Sequence, residues 1–142
     1  MFADIEQKII ERLRAVLPAD VHVGPYRDME SIKANRNKAP AAWVIHDGYT
    51  TGDTVAPGTI QQVRQEWFVV VVAKSSRGNG DVEAARDQAD ELCDAVLGGL
   101  LGYHLGGGKY LRLMDAPGPE YDGGYCHVPL AFSNAATFKG TP

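Results

Sequence analysis

Thr59-Ile60-Gln61-Gln62-Val63-Arg64-Gln65-Glu66-Trp67-Phe68-Val69-Val70-Val71-Val72-Ala73-Lys74 is the stretch on which the fold turns. Its second half, Trp67 to Ala73, is seven apolar residues in a row, most of them β-branched or aromatic. Such residues suit a pleated, packed surface, and seven residues are too few for a stable isolated helix. The first half is mostly polar, from Ile60 to Glu66. One long strand is therefore expected to leave solvent and enter a core covered on both faces. Trp67, Val69 and Val71 should lie on one face and Phe68, Val70 and Val72 on the other, both largely buried.

Upstream, Ala41 to Tyr49 predicts a strand, with Trp43, Ile45, Asp47 and Tyr49 alternating against Ala42, Val44, His46 and Gly48. Residues 50–58, Thr-Thr-Gly-Asp-Thr-Val-Ala-Pro-Gly, read as a loop joining two antiparallel strands. It exceeds the usual two to five residues of a hairpin connection. The loop is expected to be exposed and mobile. Thr50, Thr51, Asp53, Thr54 and Val55 are the residues expected to make contacts.

Downstream, Ser75 to Gly80 predicts a turn, with Asp81 placed to cap the helix that follows. Asp81 to Leu101 carries the clearest helical periodicity. Val82, Ala85, Ala89, Leu92, Cys93, Val96, Leu97, Leu100 and Leu101 form one stripe, with Gly98, Gly99 and Gly102 loosening its end. Lys109 to Met114 reads as a short strand, with Leu111 and Leu113 on one face. A last strand runs from about Tyr125 to Ala136, where Cys126, Val128, Leu130 and Phe132 oppose His127, Pro129, Ala131 and Ser133. Pro129 has no N–H to donate, so it predicts an edge or a bulge. A face of Ala131, Ser133 and Ala135 would allow close approach of a helix or another subunit.

At the other end, residues 3–17 predict a helix through Ile5, Ile9, Leu13, Val16 and Leu17, capped by Asp4 and stopped by Pro18. Val21 to Val23 is a short strand, and Asp28 to Lys33 has room for one helical turn. Helices are too few for a doubly wound sheet. The expected class is α+β: an antiparallel, possibly mixed sheet of four to five strands with two helices packed on one face, in one domain over residues 1–142.

Hydrophobic residues make up 44% and charged residues 23%, so a core can form without disulfide or metal staples. The net charge of −4 argues against non-specific nucleic-acid binding, which needs a basic face. The first residues carry charge from Asp4 on, unlike a secretory signal, and no apolar run reaches membrane-spanning length. Cys93 and Cys126 read as small core residues of a reducing cytoplasm.

Candidate chemistry is thin. Gly78-Asn79-Gly80 before a helix has the outline of a dinucleotide loop. Glu83, however, stands where a third glycine would be needed and would repel a pyrophosphate. Gly108-Lys109 lacks the spacing of a phosphate loop. His22, His46, His104 and His127 show no metal spacing, and Cys126 and His127 should face opposite ways. The acidic series Asp87, Asp90, Glu91, Asp94 reads as a solvated helix face. No catalytic, cofactor-binding or metal-binding residue is assigned. From the residues alone three classes stay open: an assembly protein, a small-molecule-binding or enzymatic α+β domain, and a dimeric interaction module.

With the elements placed, the chain resembles the tail terminator proteins of long-tailed phages, especially the Mu-like group found in prophages. The likeness rests on the opening helix Met1-Phe-Ala-Asp-Ile-Glu-Gln-Lys-Ile-Ile10 and the Trp43-Val-Ile-His46 strand. It rests also on the Trp67-Phe-Val-Val-Val-Val72 strand and the Asp81–Leu101 helix. The resemblance implies a non-enzymatic protein without cofactors. It implies a ring, commonly hexameric, that caps the tail tube and meets the head connector, with DNA free to pass through its lumen. The implied location is the host cytoplasm during assembly and then the virion tail.

Overall fold

The run Trp67–Ala73 lies at the centre of a mixed sheet in a computed structural model that describes residues 2–55, 57–75 and 82–141. Its helices are α1 (Phe2–Val16), α2 (Met29–Ala34) and α3 (Val82–Leu100), and a single 3-10 turn spans Arg36–Lys38. Its strands are β1 (His22–Pro25), β2 (Ala41–Val55), β3 (Ile60–Lys74), β4 (His104–Gly106), β5 (Lys109–Tyr110), β6 (Arg112–Met114), β7 (Glu120–Asp122) and β8 (Tyr125–Lys139). The main sheet has six strands, ordered β1-β2-β3-β8-β6, with β7 also paired to β8. Among the described strands, only β1 runs parallel to its neighbour. The α+β class is borne out. The sheet is mixed and one strand larger than expected, because the end of the chain contributes short partners to β8.

Both faces of β3 are covered, as the run of apolar residues predicts. Trp67, Val69 and Val71 pack with Ala42, Val44 and Phe132 under α1 and α3. Val70 and Val72 pack with Trp43, Ile45 and Ile32 of α2, and Phe68 is half-buried beside them. Two helices share one face, as expected, and the short α2 closes the other. Asp28 caps α2, its carboxylate accepting from Ser31 N at 2.8 Å. That hydrogen bond, made to the ionised form, holds the Asp28 carboxyl below its usual pKa.

In α1, Ile5, Ile9, Ile10 and Leu13 are buried, and Asp4 falls inside the first turn rather than at the cap. In α3, Ala85 and Ala89 pack on Ala73 and Cys126, while Leu92, Val96 and Leu100 join the larger core. Val82 and Leu101 are exposed and leave the expected stripe. Gly99 does not loosen the helix end. It is buried, and a Cβ there would lie 2.7 Å from Val16 Cγ2, so it sets the close approach of α1 and α3. Beyond Ser75, the expected turn to Gly80 and the Asp81 cap lie outside the described residues.

The expected Lys109–Met114 strand divides at Leu111. Leu111 N donates to Tyr103 O and Leu111 O accepts from Gly102 N, which ties this residue to the end of α3. β5 therefore pairs with β4, and β6 pairs with β8. Leu111 is buried and Leu113 is half-exposed, so the two do not share an inward face. Pro129 sits where β8 runs between its contacts with β7 (residues 125–127) and β6 (residues 131–133). Its missing N–H therefore interrupts no described pairing on that outer side. Ser133 and Ala131 are buried, but Ala135 is exposed.

Candidate assembly surface

Beyond the helical layer the three longest strands continue as an arm. It comprises β2 from Tyr49 to Val55, β3 from Ile60 to Glu66, and β8 from Asn134 to Lys139. Residues 50–55 are therefore strand, which corrects the expected loop of residues 50–58. The register explains the difference. Thr50 pairs with Arg64, Thr51 with Val63, Thr54 with Gln61 and Val55 with Ile60, so the polar composition marks a solvated strand pair. The connection reduces to residues 56–59, with Ala56 outside the described residues.

Two bulges shape the arm. Between His46 and Gly48 one extra residue enters β2, and Gly48 takes φ +98 there. The extra residue reverses the alternation beyond it. Trp43 and Ile45 stay on the α2 face, whereas Tyr49 joins Phe2 on the α1 face, contrary to the simple alternation expected for this strand. A second bulge separates Thr51 from Thr54, and Gln61 Nε2 donates across it to Gly52 O at 2.9 Å. At the far end Gly140 N donates to Thr59 O, which ties the end of β8 to the tip.

One side of the arm is apolar. Phe2, Tyr49, Val63 and Phe138, with Thr51 and Gln61, line a shallow groove of about 390 Å³. A second depression of about 520 Å³ is bordered by Thr50, Gly52, Gln62, Arg64, Ala135 and Thr137, together with Thr51, Val63 and Ala136. Tyr49 is 58% exposed and Val55 47% exposed. All five residues expected to make contacts, Thr50, Thr51, Asp53, Thr54 and Val55, lie exposed along one strand. β1 pairs β2 only through Val44, and β6 pairs β8 only through Ser133. Among the described residues, the outer edges of both strands therefore run without a strand partner along the arm.

At the root of the arm lies a buried polar relay that the sequence reading missed. Trp67 Nε1 donates to Asn134 Oδ1 at 2.8 Å, and Asn134 Nδ2 donates to Gln65 Oε1 at 3.2 Å. Gln65 and Asn134 have no exposed surface. The signal was present. In a strand, Gln65 shares a face with Val63 and Trp67, and a polar residue between two buried neighbours is itself buried. His46 stacks beside the relay, its ring 4.4 Å from Phe2 and 4.6 Å from Trp67.

The residues weighed for chemistry are dispersed. Cys126 packs under α3, whereas His127 lies buried among Lys33, Arg36, Glu120 and Asp122. Burial, helped by Asp90, pushes the Cys93 thiol up to about 12, and burial also raises Cys126. Both thiols are thus held protonated, the unreactive form. Burial, with Lys33 as the next cause, lowers the pKa of His127. His22 and His104 are exposed and far apart in the chain.

The molecule is thus an α+β subunit whose sheet outgrows its helical cover and ends in open strand edges. The family model for the phage tail terminator protein matches residues 1–141, and the chain belongs to that family. The match reaches the family and does not single out its Mu-like group. No individual curated protein matches the chain significantly. Members of this family are structural components of the phage tail and not enzymes, and they act together with other phage structural proteins. No described helix is long and apolar enough to cross a membrane.

Proposed function

We propose that the chain caps the phage tail tube as a ring of about six copies and presents the surface on which the head connector sits. The observation that supports this reading is the arm. It offers the unpaired outer edge of β2 and an outer edge of β8 that has no paired strand but lies beside the β4–β5 ribbon. It also has an apolar side bearing Tyr49 and Phe138, and Val55 at its tip is exposed. Open edges template pairing with another chain, and proteins that stay monomeric blunt them. Here the β2 edge and the β8 edge differ, so pairing one to the other is heterologous and closes into a ring when the rotation permits. In this reading Thr50, Thr51, Asp53, Thr54 and Val55 lie in the contact between copies or against the tail tube. The net charge of −4 suits a lumen through which DNA passes without adhering. Assembly takes place in the host cytoplasm, and the protein remains in the virion tail.

The test is a pair of charge insertions on exposed positions of the arm, Tyr49→Glu with Val55→Glu. Exposed substitutions usually change stability by no more than about 0.5 kcal/mol, so the melting temperature should barely move. Mass photometry should show the ring replaced by smaller species, and electron microscopy should show tails of uncontrolled length. A doubly substituted protein that forms rings and terminates tails like the parent would remove the arm from the contact.

A further inference from the structure

A second cleft, of about 340 Å³, opens between the first turns of α1, the β4–β5 ribbon and the root of the arm. Lys8 and Lys109 border it, with Asp4 the one acidic residue on its lining, and Asp4 is itself engaged within the subunit. Gly106 and Gly107 form its outer wall with φ +94 and +60. A Cβ at Gly106 would stand 3.4 Å from Lys8 Nζ, an ordinary contact, so it is the positive φ there rather than lack of space that favours glycine. Gln65 closes the back of the cleft.

The orientation of Gln65 follows from the relay. An indole N–H can only donate, so Asn134 must turn its oxygen to Trp67 and its amide nitrogen to Gln65. Gln65 must then turn its oxygen to Asn134, which leaves Nε2 as a donor. That nitrogen is buried and has no acceptor among the described residues. A buried donor without an acceptor is costly, and native structures seldom keep one without a reason. Lys8 is the movable part of the wall. Its ammonium now donates to Leu105 O from a chain of four rotatable bonds.

We propose that this cleft binds a carboxylate. Gln65 Nε2 has no accessible surface while Lys8 is held on the Leu105 carbonyl. On binding, the Lys8 ammonium leaves that carbonyl for one carboxylate oxygen, which opens the back of the cleft so that the other oxygen accepts from Gln65 Nε2, and Lys109 neutralises the remaining charge. A carboxylate fits because it is an acceptor at both oxygens and the groups placed to reach it, Gln65 Nε2 and the Lys8 and Lys109 ammoniums, are donors, while Asp4 on the same lining is engaged within the subunit. The proposal does not depend on the ring. Its ligand is either an acidic side chain of a protein partner or a small free carboxylate.

Amide NMR spectra of the ¹⁵N-labelled protein, recorded in whatever oligomeric state it adopts, test this. Sodium glutarate, a capped Asp-Asp peptide and, at matched ionic strength, sodium chloride and sodium sulfate are titrated separately. The expected result is saturable shifts of the Gln65 side-chain amide and of the Gly106 and Gly107 amides with the carboxylates only. Gln65→Met should weaken binding at least tenfold. If that variant does not fold, Lys109→Met on the rim should weaken binding by a similar factor. Tighter binding of the peptide than of glutarate assigns a protein partner, and equal or tighter binding of glutarate assigns a free carboxylate. Equal shifts with sulfate or chloride, or undiminished binding by a folded Gln65→Met or Lys109→Met variant, would overturn the proposal. Ring formation is read separately by mass photometry, so failure here leaves the assembly reading standing.

Discussion

Replacing Gly99 by alanine adds one methyl group at the crossing of α1 and α3. The new Cβ would lie 2.7 Å from Val16 Cγ2, 3.2 Å from Cγ1 and 3.3 Å from Cβ. Two effects compete. Alanine favours a helix interior over glycine by about 1 kcal/mol. Against this, overpacking costs about 1–3 kcal/mol. Val16 cannot swing aside cheaply, because a β-branched residue in a helix holds one χ1 rotamer. Arg12 Nε also donates to Gly99 O at 3.0 Å, so separating the helices strains a second contact. The clash should equal or exceed the gain, leaving Gly99→Ala unchanged to about 2 kcal/mol less stable than the parent. Gly98 is the internal control. It is the preceding residue of the same helix, exposed, and a Cβ there would meet nothing within 4 Å. Gly98→Ala should therefore stabilise by up to about 1 kcal/mol. The gap between the two variants is then about 1–3 kcal/mol, or roughly 3–12 °C in melting temperature for a chain of this size. Urea and thermal unfolding followed by circular dichroism measure both. In a Val16→Ala background two of the three crowding atoms are gone, and Gly99→Ala should recover most of its deficit. Equal stability of the two single variants, or no coupling to Val16, would refute the close-approach argument.

Asn134→Ala deletes the middle of the buried relay, leaving Trp67 Nε1 without an acceptor and Gln65 Oε1 without a donor. Each orphaned group costs about 1–3 kcal/mol, so a loss of roughly 2–6 kcal/mol is expected in urea unfolding, with little change in slope. His127 provides a pH test. Its folded pKa is depressed, first by burial and then by Lys33, with Arg36 adding and Glu120 and Asp122 opposing. The unfolded chain, with an ordinary value of about 6.5, then binds more protons than the native state. Stability from this group is complete above about pH 6.5 and is lost as pH falls from there through the lowered folded value. His127→Leu should flatten that segment of the stability profile, and a parent-like slope in the variant would assign the pH dependence to other groups.

Much of this architecture was legible from local pattern. Trp67–Ala73 announced a strand buried on both faces, because no alternation of polar residues offered either face to water. The stripes Ile5-Ile9-Leu13 and Ala85-Ala89-Leu92-Val96 announced two helices with one apolar side each. What composition concealed was the arm. Thr50 to Val55 is small, polar and broken by Gly52, the vocabulary of a loop, yet it pairs with Ile60 to Arg64 on both sides of a bulge between Thr51 and Thr54. A solvated strand has no apolar alternation to reveal it, since its partner is a backbone and backbone pairing leaves little trace in side-chain type. The face of Tyr49 was equally hidden, because one bulge residue near Gly48 reverses every assignment beyond it.

The sequence by itself determined the elements whose side chains must leave water, since burial is written in the spacing of apolar residues. It also determined the general chemistry of the surface: acidic overall and without a spaced set of catalytic or metal-binding groups. Tertiary structure alone decided which residues meet across long separations. It placed Asn134 between Gln65 and Trp67, closed α2 over Val70 and Val72, and set Gly99 against Val16. The physical reason is that hydrogen bonds and close contacts depend on register and on the approach of whole elements. Those are fixed by the packing of the entire sheet, whereas burial is a property each segment carries in its own composition.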